Sequence, residues 1–133
     1  MSTSTREERF ARRIEDHYVN DAQFAAAKPS EAVAEAVERP GLGLPEIIDT
    51  IMEGYADRPA LGQRAVRLVT DPSGRTTVVS VPRFETITYR RLWDRVNAFA
   101  GALSAEDAVR PGDRVCVLGF TSVDYTTIDI ALA

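Results

Sequence analysis

The C-terminal third of the chain has the pattern that most constrains its fold. Thr88 is placed to cap a helix over 88–104, whose apolar positions recur at helical spacing: Leu92, Val96, Phe99, Ala100 and Leu103. A tight turn at 111–113 leads into the mostly apolar run 114–120, and Ser122 then caps a further helix. A short apolar run of this kind is typical of a strand buried in a parallel sheet. The α-β-α order predicts a layered α/β domain.

The residues before this unit predict a helix and a β-hairpin. A broad apolar stripe begins at Leu44, where Pro45 suits the first helical position, and Asp57-Arg58-Pro59 ends that helix. Residues 60–70 alternate loosely between apolar and polar, as a half-buried strand does. The sequence Asp71-Pro72-Ser73-Gly74 is a type I turn signal, and the β-branched run 76–81 after it predicts the second strand. Residues 84–89 read as a further short extended stretch.

Residues 1–40 read as a separate helical section. Ser4 and Glu7 have the spacing of a capping box, and residues 21–27 and the segment after Ser30 predict two more short helices. One face of the first helix is apolar: Phe10, Ile14 and Tyr18. A proline and two glycines close the section.

Composition excludes several classes of function. Asp+Glu 20 outnumber Lys+Arg 16, which argues against a nucleic-acid partner, because a phosphate-tracking surface needs an excess of basic residues. No apolar run approaches the ~20 residues of a membrane span, and the N-terminus lacks the apolar stretch of a secretory signal. We therefore expect no membrane partner and a cytoplasmic location. A lone Cys116 and a lone His17 exclude an internal disulfide and a structural zinc site.

The residues that attract attention as catalytic candidates all have simpler interpretations. Cys116 stands between two valines of the predicted strand, which favours an inert, packed core thiol over a nucleophile. His17 has no assignable nucleophile or orienting group, so a surface or interface histidine is favoured over a general base. Glu15 and Asp16 are adjacent and diverge on a helix, which indicates a solvated face. Trp93 is interpreted as a core or interface anchor.

The segment Gly119-Phe120-Thr121-Ser122 lies where α/β sheets commonly place ligands, at the C-terminal end of a predicted strand. A helix cap by Ser122 is nevertheless the favoured interpretation. The glycines form neither a G-x-G-x-x-G nor a P-loop pattern. The sequence therefore predicts no catalytic, cofactor-binding or metal-binding residue within the chain.

The last residues, 128–133, continue an apolar helical pattern with no Gly, Asn or basic stop signal. We expect this chain to be the front of a larger domain.

Three motifs, in this order and spacing, resemble the beginning of adenylate-forming enzymes. They are Asp57-Arg58-Pro59-Ala60-Leu61, then Ile87-Thr88-Tyr89-x-x-Leu92 with Arg95-Val96, then Val109-Arg110-Pro111-Gly112-Asp113-Arg114-Val115. Arg91 stands where the family usually has Glu, at a position expected to be exposed.

Residues 114–129, together with the helices at 6–18 and 44–47, resemble the N-terminus of bacterial carboxylic acid reductases. The resemblance implies residues 1–40 as a helical extension and 41–133 as the truncated start of the AMP-binding adenylation domain. It implies an enzyme that adenylates a small carboxylic acid with ATP and Mg²⁺, transfers it to phosphopantetheine and reduces it with NADPH. A phosphopantetheinyl transferase is the implied partner of the full-length protein. The fragment alone is expected to be inactive and to bind none of these cofactors.

Two alternatives remain open from the sequence. One is a fatty acyl-CoA or acyl-AMP ligase, which shares the adenylation domain and lacks the reductase. The other is a noncatalytic helical module that binds a protein partner.

Overall fold

The computed structural model describes residues 5–107 and 109–133. The elements, in chain order, are α1 (Arg6–Asn20), α2 (Ala22–Ala26), α3 (Glu31–Val37), α4 (Leu44–Gly54), β1 (Pro59–Thr70), β2 (Thr76–Thr88), α5 (Tyr89–Ala105) and α6 (Val123–Ala131). The chain divides into two units, 1–39 and 40–133. None of the helices in this part of the chain has the length and apolar content that a membrane crossing needs. The assignment of residues 1–40 to an extension of the adenylation domain stays a prediction.

In the first unit, α1 begins with a capping box, one residue later than the sequence pattern indicated. The Thr5 hydroxyl accepts a hydrogen bond from the Glu8 amide at 3.2 Å, and the Glu8 carboxylate accepts one from the Thr5 amide at 2.9 Å. The prediction that Glu7 forms the capping box was wrong, because Glu8 has that role. Its predicted partner, Ser4, lies outside the described residues. Both pairs have the same spacing, so the pattern alone does not select the register.

The two further helices predicted in this unit are confirmed. The Asp21 carboxylate caps α2 by accepting from the amides of Gln23 and Phe24, and Ser30 occupies the N-cap position of α3. The Phe24 ring packs on Tyr18, with the ring centroids 4.8 Å apart. No described residue of the three helices is buried, so this unit has no core of its own.

The second unit contains the predicted hairpin. β1 and β2 pair antiparallel in a two-stranded sheet. The two extended stretches predicted after the turn form a single strand with an irregularity. Arg64 pairs with Phe84 and Val66 with Ser80, so residues 81–83 stand opposite Ala65 alone. This bulge accommodates Pro82, which has no amide to donate to a regular ladder.

The core of the second unit lies between α4, α5 and the base of the hairpin. Met52, Leu92 and Val96 are buried, and partly buried hydrophobic residues surround them: Ile48, Ala60, Leu61, Ile87, Tyr89, Trp93, Ile130 and Ala131. The predicted apolar stripes of α4 and α5 are thereby confirmed. Trp93, interpreted as a core or interface anchor, is partly buried and packs against the cluster. An ion pair between Arg95 and Asp124 joins α5 to α6.

The predicted strand 114–120 is wrong for this structure. The segment forms no strand and pairs with neither β1 nor β2 within the described residues, and all of its residues except Val117 are exposed. A strand exists only where a second strand supplies the partners for its amides and carbonyls. Within the described residues, β1 and β2 pair only with each other.

The Leu92 side chain, 2% exposed, is expected to dominate the stability of the second unit. Leu92→Ala removes buried methyl groups and leaves a cavity, which lowers the free energy of unfolding by about 2–5 kcal/mol. Urea denaturation followed by circular dichroism measures the change. The matched control is Leu68→Ala, at a side chain 71% exposed, with an expected change within about 0.5 kcal/mol. Equal effects of the two substitutions would contradict the described core.

The hairpin turn depends on the Asp71 carboxylate, which accepts from the Ser73 hydroxyl at 2.6 Å and from the amides of Ser73 and Arg75. The Ser73 hydroxyl, followed by the Arg75 amide, lowers the pKa of Asp71. Because the folded-state pKa lies below the unfolded one, the ionised carboxylate stabilises the turn above the unfolded pKa. That stabilisation is lost as pH falls through the folded pKa.

We expect Ser73→Ala to raise the pKa of Asp71 toward its ordinary value. Titration of the Asp71 carboxyl carbon by NMR measures the shift. Ser80→Ala, in β2 and away from the turn, is the control and leaves the pKa unchanged. An Asp71 pKa that is the same in the wild type and Ser73→Ala would rule out this account of the turn.

Candidate functional site

The N-terminus of α6 is the one place that the sequence analysis linked to ligand binding. The Ser122 hydroxyl accepts a hydrogen bond from the Tyr125 amide at 3.1 Å, which confirms its predicted role as the helix cap. Thr126 donates its hydroxyl proton to the Ser122 carbonyl, and the buried Thr127 donates to the Val123 carbonyl. The hydroxyl protons of Thr126 and Thr127 are therefore used within the helix, and the Ser122 oxygen caps its first turn.

A cleft of about 350 Å³ lies between β1 and the start of α6. It is lined by Leu61, Gly62, Gln63, Arg64, Thr121, Ser122, Val123 and Thr126. The Arg64 guanidinium lies over the Phe84 ring, 5.7 Å from its centroid, and Asp124 in the first turn of α6 is paired with Arg95. The cleft contains hydroxyl, amide and guanidinium groups and no nucleophile beside a general base. Its chemistry is that of a polar surface rather than a catalytic centre.

A larger cleft, of about 940 Å³, lies between the C-terminal half of α5, residues 109–117 and α6. The turn at its rim is held by the Asp113 carboxylate, which accepts from the Arg110 amide at 2.9 Å. The Arg110 guanidinium donates to Asp107, and this hydrogen bond lowers the pKa of the Asp107 carboxyl. Cys116 lines this cleft, and it is exposed.

The prediction that Cys116 is a packed core thiol is therefore wrong for this structure. Its neighbours Val115 and Val117 are apolar, as the sequence showed, and only the second is half-buried. A thiol is buried in a core only when side chains pack around it on all sides. The described residues surround Cys116 only in part. No basic side chain within the described residues pairs with the sulfur, so the observed exposure gives no support for a nucleophile.

The other candidates lie in the first unit of the chain. His17 is exposed and packs its ring on Phe24, with the centroids 5.3 Å apart. Glu15 and Asp16 are exposed, which confirms the solvated face. Within residues 5–107 and 109–133, no three His, Cys, Asp or Glu side chains are grouped as ligands for a metal ion. The structure thus assembles no catalytic constellation from the described residues.

A comparison with models of protein families identifies the family of this chain. The model of the AMP-binding enzyme family matches residues 64–133, which include most of β1, all of β2, α5, the Pro-Gly-Asp turn and α6. The chain belongs to the AMP-binding enzyme family. The resemblance to adenylate-forming enzymes read from the sequence is confirmed.

The similar proteins of this family are carboxylic acid reductases. The chain is 68% identical over 130 residues to one from Mycobacterium tuberculosis and 63% identical over 134 residues to one from Mycobacterium marinum. These matches cover 97% and 100% of the chain, and 11% of each relative. The chain thus spans about a ninth of the length of the relatives it matches.

Solved structures of AMP-binding enzymes give the same result for the fold. The adenylation domain of the carboxylate reductase from Mycobacterium chelonae matches with a TM-score of 0.84 and 46% identity over 98% of this chain and 20% of that one. An adenylation domain of a reductase from Segniliparus rugosus, solved with AMP and a co-purified carboxylic acid, matches with a TM-score of 0.83 and 43% identity over 91% of this chain and 20% of that one. The predicted fold class is confirmed: α/β, as part of an adenylation domain.

Removal of the Ser122 cap tests the local account of α6. Ser122→Ala leaves the Tyr125 amide without its acceptor and is expected to lower the free energy of unfolding by about 1 kcal/mol. Ser122→Asp keeps a capping oxygen and is expected to retain most of that stability. Urea denaturation of the three proteins gives the comparison. An Ala variant as stable as the Asp variant would show that the hydroxyl does not cap the helix.

Proposed function

We propose that the protein containing this chain is an ATP- and NADPH-dependent carboxylic acid reductase, and that these residues form the front of its adenylation domain. The observation that supports the proposal most directly is the match to the adenylation domain from Mycobacterium chelonae, at 46% identity with a TM-score of 0.84. The chain is 68% and 63% identical to the matched 11% of two proteins named carboxylic acid reductase. These identities support extending the proposal from the domain to the complete reaction.

The proposed reaction has three steps. A carboxylate oxygen attacks the α-phosphorus of ATP, the bond to pyrophosphate breaks, and an acyl-adenylate forms. In the second step the acyl group would pass to the phosphopantetheine thiol, with AMP as the leaving group. In the third, NADPH would supply the hydride that reduces the thioester to an aldehyde and releases the thiol. The first step is needed because a free carboxylate is a poor electrophile and AMP is a good leaving group.

The described residues do not fit ATP or Mg²⁺. They include no glycine-rich phosphate loop of the P-loop or dinucleotide type and no group of three carboxylate, histidine or cysteine ligands. The hydroxyl groups at the start of α6 are hydrogen-bonded to that helix. We therefore derive no chemical step from these residues, and we place the nucleotide, metal, phosphopantetheine and NADPH sites in other parts of the protein.

The contribution of this chain is structural support. The core of Met52, Leu92 and Val96 fixes α4, α5 and the base of the hairpin together, and Arg95 holds α6 to α5 through Asp124. A second link ties the end of α4 to the start of α5, because Arg90 donates to the Asp57 carboxylate at 2.9 Å and its amide donates to the Ala56 carbonyl. We propose that this rigid corner positions the neighbouring parts of the adenylation domain.

The remaining expectations complete the proposal. A small carboxylic acid is the substrate, and a phosphopantetheinyl transferase loads the carrier region. The cytoplasm is the proposed location, where ATP and NADPH are both available.

The test is carried out on the full-length protein, co-expressed with a phosphopantetheinyl transferase. We expect exchange of labelled pyrophosphate into ATP that depends on an added carboxylic acid, and acid-dependent oxidation of NADPH with release of an aldehyde. Protein expressed without the transferase is the control: it is expected to retain the exchange and to lose the NADPH oxidation.

Two outcomes would contradict the proposal in different ways. Pyrophosphate exchange without NADPH oxidation, across a panel of aromatic and aliphatic acids, would indicate an acyl-CoA or acyl-AMP ligase. The absence of both activities would favour the noncatalytic module.

A further inference from the structure

Two charged stripes in the first unit have the same spacing when one of them is read backwards. We propose that the arginine stripe of α1, made of Arg6, Arg9 and Arg13, binds the glutamate stripe of α3 in a second copy of the protein. This contact joins two copies and takes no part in the proposed reaction. The glutamate stripe consists of three residues of α3 and its C-cap: Glu31, Glu35 and Glu38.

The arginine stripe lies along one face of α1. Residues at i, i+3 and i+7 of a helix lie one above another, and Arg6, Arg9 and Arg13 line a single groove of about 580 Å³. All three side chains are exposed, and none of them forms an ion pair within the described residues. Phe10, which is 63% exposed, lines the same groove. Three guanidinium groups and an aromatic ring therefore share one side of α1.

The glutamate stripe lies along one face of α3. Glu31 is in the first turn, Glu35 follows four residues later, and Glu38 is the C-cap residue with helical backbone angles. These three side chains are exposed as well, and they form no ion pair with any residue of 5–107 or 109–133. Three carboxylates therefore share one side of α3.

The two stripes match in antiparallel register. The arginines are three and then four residues apart, and so are the glutamates when they are read from Glu38 back to Glu31. With a rise of about 1.5 Å per residue, both stripes span about 10 Å along the helix axis. Antiparallel helices therefore bring each arginine opposite one glutamate, with Arg9 opposite Glu35 at the centre. A guanidinium and a carboxylate in this position can form two parallel hydrogen bonds.

Each stripe is unfavourable within its own helix. Arg9 and Arg13 are like charges at i and i+4, as are Glu31 and Glu35, and such pairs destabilise a helix. Pairing of the two stripes places an opposite charge beside every one of these groups. Exposed ion pairs are individually weak, so we expect an association that depends on concentration and salt rather than an obligate dimer.

A second copy is the partner because the structure keeps the two stripes of one copy apart. Among the described residues of the first unit, α1 packs against α2 and makes no contact with α3. Two copies related by a two-fold axis satisfy both stripes of each, since the α1 of one copy faces the α3 of the other and the reverse. A nucleic acid or an anionic membrane is a poorer fit, because the four arginines of α1 are balanced by four acidic residues.

The central pair provides the test, in the full-length protein studied by sedimentation velocity. We expect the wild type to dimerise at concentrations up to about 100 μM, with a dissociation constant that rises at least about 10-fold between about 50 mM and about 500 mM salt. Arg9→Glu and Glu35→Arg are each expected to raise the dissociation constant at least about 10-fold, because each places like charges opposite one another at both contacts of the dimer. The matched control is Arg12→Glu, which lies in α1 outside the groove and is expected to change the dissociation constant less than about 2-fold.

Exchange of the charges separates this pairing from a general effect of net charge. The double variant Arg9→Glu/Glu35→Arg has opposite charges at the central pair again, so its dissociation constant is expected within about 3-fold of the wild-type value. A mixture of the two single variants is expected to associate more tightly than either variant alone, because both contacts of the mixed dimer then join opposite charges. Circular dichroism of each variant checks that the helices are retained.

Three outcomes would overturn the inference. The first is a wild-type protein that stays monomeric at low salt. The second is an Arg12→Glu variant that weakens association as much as Arg9→Glu does. The third is a double variant that associates as weakly as the single variants, which would show that the two stripes bind different partners. None of these measurements reads enzymatic activity, so their result is independent of the proposed function.

Discussion

The contact between α5 and α4, through Leu92, Val96 and Met52, is the interaction on which the rest of the second unit depends. These three side chains form the buried cluster, and the base of the hairpin and the end of α6 reach it through partly buried residues such as Ile87 and Ile130. The part of the hairpin near its turn, residues 66–80, has no residue in this cluster. Val66, Leu68 and Val78 are exposed on one face there, and the sheet packs against α5 and α6.

Most of the local structure was predictable because its signals are short-range. A cap hydroxyl acts on an amide three residues away, as at Thr88 and Ser122, and the Asp71 carboxylate acts within its own turn. Helical apolar periodicity identified Leu92 and Val96 as buried for the same reason, since the face of one helix is set by spacing alone. The capping register of α1 was missed by one residue because two overlapping pairs satisfy the same pattern.

The sequence was a poor guide wherever structure depends on a distant partner. The run 114–120 has the composition of a buried strand, yet a strand needs a neighbour, and no residue near it in sequence provides one. The exposure of Cys116 has the same origin. Its apolar neighbours make the segment suited to a buried position, but burial requires residues distant in sequence to pack against it. The continuous β2 strand was divided at Pro82 because the bulge opposite Ala65 is set by the pairing of the two strands.

The same reasoning explains why the described residues have the fold of an AMP-binding enzyme and assemble no catalytic constellation. Adenylation requires groups arranged around an α-phosphate, and several polar groups of this part of the chain instead hold its helices and turns. The Ser122 hydroxyl and Asp124 serve the start of α6, Arg95 joins two helices, and Arg90 joins two segments through Asp57. A charged or hydroxyl group that is held by its own fold is suited to positioning a neighbour and poorly suited to binding a substrate. The family was therefore recognisable from the motifs of this part of the chain, which contain its turns, helix caps and apolar stripes.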